Sequence, residues 1–181
     1  IAPVRRALGV RTVFNLLGPL TNPAEPPFGL IGAYSRDAAR LMAETLAGML
    51  IQRVFVVHGE PGWDEPTPCG PFELYDVTPG HVVRTERDPL DYGLARCTPQ
   101  SLAGGDAAHN AVGMRAVFTG QDRGSHRDAL VLNAALALEV TGTVADPQAA
   151  IRAASDALDR GDGARLLDRL ATFGRSMGGA P

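Results

Sequence analysis

Lysine is absent: all seventeen basic residues of the chain are arginine. That excludes, within these residues, a Walker-type phosphate-binding lysine, a Schiff-base lysine and a lysine general base. Cysteine is scarce. Cys69 and Cys97 stand far apart in the sequence, without the C-x-x-C spacing of zinc or redox sites. They read as two reduced, partly buried thiols in a cytoplasmic protein. The four histidines (His58, His81, His109 and His126) show no H-x-x-x-H or H-E-x-x-H pairing, which argues against a zinc enzyme. There is no long hydrophobic run. The strongest, Leu130 to Val140, is interrupted by Asn133 and Glu139 and is too short to span a bilayer. Nor is there a basic excess. Seventeen arginines face twenty acidic residues, for a net charge of −3 and a pI of about 5.8, so no broad nucleic-acid surface is expected. The chain opens on Ile-Ala-Pro-Val-Arg-Arg with no leader pattern, which reads as a truncation or cleavage boundary and not as a signal peptide.

What is present is the balance of a globular domain, or of a piece of one: 181 residues, 45% apolar and 20% charged. The periodicity predicts helical turns over residues 3–17, with Pro3 at an early helical position and Gly18-Pro19 as the stop. Residues 18–27 (GPLTNPAEPP) carry four prolines and read as an ordered but irregular loop. A buried strand is expected at 29–34 and a helix capped by Ser35 over 36–50. A second buried strand follows at 54–57. Strand, helix and strand on short connections predict a βαβ unit with parallel neighbours. Residues 72–77 and 81–86 alternate around Thr78-Pro79-Gly80, an antiparallel hairpin signature. Helices are expected at 106–118, 126–141, 146–160 and 164–173, with Asp146-Pro147 as an N-cap followed by proline. Residues 1–175 form one unit and 176–181 a frayed tail.

Three stretches can carry chemistry. The strand at 54–57 delivers Asp64-Glu65 into a Gly/Pro-rich loop, and ligands of parallel sheets bind beyond the carboxyl ends of strands. Two adjacent loop carboxylates can chelate a hard cation such as Mg²⁺, which takes oxygen ligands and keeps several waters. A solvated acidic turn is the ordinary alternative. Arg5, Arg6 and Arg11 offer guanidinium forks for a carboxylate or phosphate, although positions 5 and 6 point about 100° apart on a helix. The GPLTNP loop is rigid and can form a pocket wall. Gly104-Gly105-Asp106 looks like a phosphate loop, but no strand precedes it. It reads instead as a helix start capped by Asp106.

The stretch RTVFNLLGPLTNPA (Arg11 to Ala24) resembles the signature of the anthranilate phosphoribosyltransferase family. The resemblance continues through LIGAYS, VVHGEPGWDE, DYGL, GGDAAHNA and LNAALAL, in order over nearly the whole chain. It implies an α/β fold: part of a nucleoside phosphorylase/phosphoribosyltransferase-type catalytic domain, mostly parallel sheet with an antiparallel hairpin, flanked by helices. It implies transfer of the phosphoribosyl group of phosphoribosyl pyrophosphate to the amine of anthranilate, with release of pyrophosphate and a requirement for Mg²⁺. It also implies roles. Arg5 binds the anthranilate carboxylate, Gly18 and Pro19 line the anthranilate channel, and Asp64 and Glu65 hold Mg²⁺. No catalytic base is implied. A cytoplasmic enzyme is expected, with no membrane or nucleic-acid partner, and with a homodimer in the complete protein.

The sequence also departs from the family pattern. Trp63 stands where a small or aliphatic residue is usual, Pro66-Thr67 replaces an aliphatic residue and serine, and Cys69 replaces a common threonine. Neither the Gly-Thr-Gly-Gly-Asp phosphate loop nor the Lys-His-Gly-Asn segment of the family occurs in the 181 residues. The chain therefore resembles the carboxy-terminal half, and the fragment alone is expected to be inactive. Two alternatives share the fold: a pyrimidine-type nucleoside phosphorylase, which would bind a base instead of a carboxylate, and a non-catalytic nucleic-acid-binding relative, which would need a basic groove.

Overall fold

The structure, a computed structural model, describes Gly18 and residues 20–177. The helix expected at 3–17, and with it Arg5 and Pro19, lies outside the described residues. Four strands form one sheet in chain order: β1 (Phe28–Gly32), β2 (Arg53–Gly59), β3 (Phe72–Thr78) and β4 (His81–Arg87). β1 and β2 run parallel, with Phe28 opposite Arg53 and Gly32 opposite Val57. Helix α1 (Arg36–Leu46) is the crossover between them, as the βαβ reading requires. β2–β3 and β3–β4 are antiparallel, the latter closed by a turn in which Gly80 takes φ 74°. The sheet of the described residues is thus mixed, with its parallel ladder at the β1–β2 side.

Local chemistry accounts for these elements. The Ser35 hydroxyl accepts from the Ala38 N–H and caps α1. Ala38, Ala39, Met42, Ala43 and Leu46 then recur on one buried face of the helix. α1 stops four residues short of the expected end. Ala47 caps it, and turn hydrogen bonds carry the chain through Gly48 and Met49, which leaves Leu50 95% exposed. Two short 3₁₀ turns (Pro89–Tyr92 and Pro99–Leu102) lead to α2 (Ala107–Phe118), α3 (Ser125–Val140), α4 (Pro147–Asp159) and α5 (Asp162–Met177). Asp106 and Asp146 cap α2 and α4 by accepting from the His109 and Ala149 N–H groups. The last helix runs on through Ser176 and Met177, past the boundary expected at 175–176.

Alternation along β2 and β3 divides the core. Val54, Val56, Tyr75 and Val77 face α1. Phe55, Val57, Phe72 and Leu74 face the other way, onto α3 and α4 through Val131, Leu132, Ala135, Leu136 and Ile151. Two carboxylates are buried within these layers. Glu139 is clamped by Arg87 at 2.9 and 3.0 Å, and both Arg87 and Arg53 lie over the Phe55 ring. Glu73 on β3 pairs with Arg36 at 2.8 Å and with Arg84. Burial pushes Glu73 up, but the two guanidiniums outweigh it and hold the carboxyl below its ordinary value.

Candidate functional site

The acidic loop leaves β2 at Gly59 and lies across the carboxyl ends of β1 and β2. Two glycines permit this. A Cβ on Gly32 would sit 1.7 Å from the Asp64 carbonyl oxygen, and one on Gly59 would sit 2.3 Å from the Glu65 carbonyl oxygen. The loop backbone therefore rests directly on the strand ends, where only hydrogen atoms fit. Gly59 and Trp63 exchange backbone hydrogen bonds at 2.9 Å in both directions, closing a tight turn.

Side chains anchor the loop at both ends. On the entry side, Arg36 at the start of α1 donates to Glu60 at 3.2 Å while holding Glu73. On the exit side, Pro66, Thr67 and Pro68 are buried, and Asn133 of α3 donates to the Pro66 carbonyl at 2.9 Å. His58 binds the Ala33 carbonyl through Nδ1 at 2.7 Å and ties the ends of the parallel strands together. The sequence set Gly32 inside the apolar run expected at 29–34 and Gly59 just after the strand at 54–57, with no role assigned to either. Asn133 stood inside the LNAALAL motif without an assigned role, and Arg36 carried no signal at all.

The fixed loop presents Asp64 and Glu65, both solvent-exposed, to a cleft of about 370 Å³ that Trp63, Thr67 and His126 also line. A neighbouring cleft of about 460 Å³ shares Glu65, Leu102 and His126 and reaches the start of α2 at Gly104. Crowding around the Glu65 carboxyl, and then the Asp64 charge beside it, push Glu65 above its ordinary value. No cation among the described residues offsets that repulsion. A carboxylate whose charge is disfavoured by a neighbouring carboxylate is a donor that a hard divalent ion relieves. Among the described residues no group of three His, Cys, Asp or Glu side chains could hold a metal. An ion here would draw its remaining ligands from water or from substrate oxygens.

The GPLTNP loop lies elsewhere. Leu20 to Pro23 line a cleft of about 700 Å³ over the amino-terminal ends of β1 and β2, with Phe28, Gly29 and Ile51. Among the described residues this loop and the acidic pair line separate clefts. Gly18 is exposed with open space around its Cα. Gly104 and Gly105 precede a capped helix, as expected, and Asn110 closes that turn through hydrogen bonds with both backbone groups of Gly105.

A parallel βαβ unit that seats an acidic loop beyond its strand ends is an α/β architecture whose ligands bind at that edge of the sheet. The chain is a member of the glycosyl transferase family, whose a/b domain model matches residues 1–164. Its relatives narrow the class. An anthranilate phosphoribosyltransferase of Rubrobacter xylanophilus is 44% identical over 179 residues, 99% of this chain and 52% of the relative. The crystal structure of the anthranilate phosphoribosyltransferase of Thermus thermophilus superposes with a TM-score of 0.83 at 38% identity, covering 97% of this chain and 51% of that one. The Saccharomyces cerevisiae anthranilate phosphoribosyltransferase in complex with PRPP and Mg gives a TM-score of 0.81 at 25% identity over 92% of this chain and 48% of that one. The chain spans about half the length of the relatives it matches.

Proposed function

We propose that this chain supplies the carboxy-terminal half of an anthranilate phosphoribosyltransferase, which joins the amine of anthranilate to C1 of phosphoribosyl pyrophosphate and releases pyrophosphate. The observation that carries the reading is the Asp64–Glu65 loop seated on Gly32 and Gly59, in a chain whose structural relative was solved with PRPP and Mg. Asp64 and Glu65 would hold Mg²⁺. Bound there, the ion offsets charge on the departing pyrophosphate. Arg36 and Asn133 keep the two carboxylates in register with the strand ends. Arg5 binds the anthranilate carboxylate with a planar fork, and Gly18 and Pro19 line the approach. The amine attacks C1 as the bond to pyrophosphate breaks, and the amine then loses a proton. The transition state is loose and cation-like, so positioning and electrostatics do the work, and no strong base is assigned.

The same proposal makes the isolated chain inert and the complete protein a cytoplasmic enzyme, with a homodimer as its assembly. The test is a chimera that joins this chain to the amino-terminal half of the Rubrobacter xylanophilus relative. Loss of anthranilate fluorescence in the presence of phosphoribosyl pyrophosphate and Mg²⁺ is expected from the chimera and not from the chain alone. A folded chimera that leaves anthranilate unconsumed, or turnover by the chain alone, contradicts the reading.

A further inference from the structure

The sequence separates Cys69 and Cys97 by 28 positions, and the fold brings them together. Their Sγ atoms lie 3.5 Å apart, both side chains are partly exposed, and both thiols are free. The segments that carry them are already joined, because the Cys97 N–H donates to the Pro68 carbonyl at 3.2 Å. On the other side, the Cys69 N–H donates to the hydroxyl of buried Thr67 at 3.3 Å. The backbone is therefore held on both sides of the pair. A disulfide needs about 2.05 Å between sulfurs, which leaves about 1.5 Å to close by side-chain rotation and a small shift.

We propose that Cys69 and Cys97 are a built dithiol site that a small-molecule disulfide oxidises to an intramolecular bond. The bond would staple the buried base of the acidic loop to the segment after Gly93. Either thiolate can open the exchange, as when Cys97 attacks first. Its thiolate displaces one small thiolate from the reagent and forms a mixed disulfide. The Cys69 thiolate then attacks the Cys97 sulfur, the S–S bond forms, and the second small thiolate leaves. Two electrons pass from the protein sulfurs to the reagent. The two thiol protons go to the released thiolates or to solvent.

The staple joins Cys69, four positions after Glu65, to a segment beyond the β3–β4 hairpin, and it encloses that hairpin. This inference stands independently of the proposed reaction. The probe is oxidised glutathione added to the native protein, with alkylation, trypsin digestion and mass spectrometry. Oxidised wild-type protein should lose two hydrogen masses and yield peptides 54–84 and 97–115 linked through Cys69 and Cys97. It should also melt about 10 °C higher than the reduced form. Cys69→Ser should instead accumulate a stable glutathione adduct on Cys97. The wild-type readout needs no variant to fold. Glutathione adducts on both cysteines of the native protein without the linked peptide overturn the proposal, as does a link that forms equally well in concentrated urea.

Discussion

Gly32→Ala tests how the acidic loop is held. The added Cβ would meet the Asp64 carbonyl oxygen at 1.7 Å and the carbonyl carbon at 2.7 Å. A carbon rests against a carbonyl oxygen at about 3.3 Å, so the loop backbone must retreat by about 1.6 Å. Overpacking of this kind costs about 1–3 kcal/mol, and the obstacle here is backbone rather than the yielding tip of a side chain. The expected loss is therefore at the upper end, about 3 kcal/mol, or about 6–12 °C in Tm for a chain of this size. Gly29→Ala, three positions earlier on the same strand, is the control. Its Cβ would meet Val54 methyl groups at 3.6 Å and Ile31 Cγ1 at 3.9 Å, ordinary contacts, so that variant should be neutral or slightly stabilised. Urea unfolding followed by circular dichroism compares the two. Trp63 is the single tryptophan and sits in the loop itself, so its emission reports the displacement in the folded state. If Gly32→Ala unfolds at the same urea concentration as Gly29→Ala, with unchanged Trp63 emission, the seating argument is wrong.

Two further outcomes follow from the buried carboxylates. Arg87→Met strands Glu139, which is 4% exposed, without its cation, and should cost about 3–5 kcal/mol in urea unfolding. The double variant Arg87→Met/Glu139→Leu should recover most of that loss, and a near-neutral single variant would contradict the pairing. Glu73 concerns acid stability. Its folded value is depressed, so its contribution is complete above the unfolded carboxyl value of about 4.3 and is lost as pH falls through the lower folded value. Arg84→Met removes the strongest of the pulls that oppose burial, so acid unfolding followed by circular dichroism should begin at higher pH; overlapping acid curves for the variant and wild type would contradict this.

Where a local signal decides conformation, the sequence could be read directly. The Ser35, Asp106 and Asp146 caps, the Thr78-Pro79-Gly80 turn and the apolar strands all depend on residues within a few positions of each other; the caps and the turn stand where expected, whereas the strand expected to be buried at 29–34 runs from Phe28 to Gly32 and is only partly buried. The end of α1 was not legible. Met49 and Leu50 continue the apolar spacing, yet they follow Gly48 and leave the helix. The contacts that build the site were hidden for a different reason. Gly32 meets Asp64, Asn133 meets Pro66 and Cys69 meets Cys97 only once strand register and helix placement are set. The Asp64–Glu65 pair stood out as a candidate because adjacent carboxylates after a buried strand can chelate a hard cation, and the structure sets both on one cleft. The residues that fix its position did not stand out.

The central claim is that Asp64 and Glu65 hold the divalent ion used in phosphoribosyl transfer. Its most direct measurement is the Mg²⁺ dependence of anthranilate consumption by the chimera with Asp64→Asn. The account predicts a shift to higher Mg²⁺ for half-maximal rate, with unfolding behaviour retained. An Asp64→Asn/Glu65→Gln chimera with unchanged kcat and unchanged Mg²⁺ dependence would contradict it.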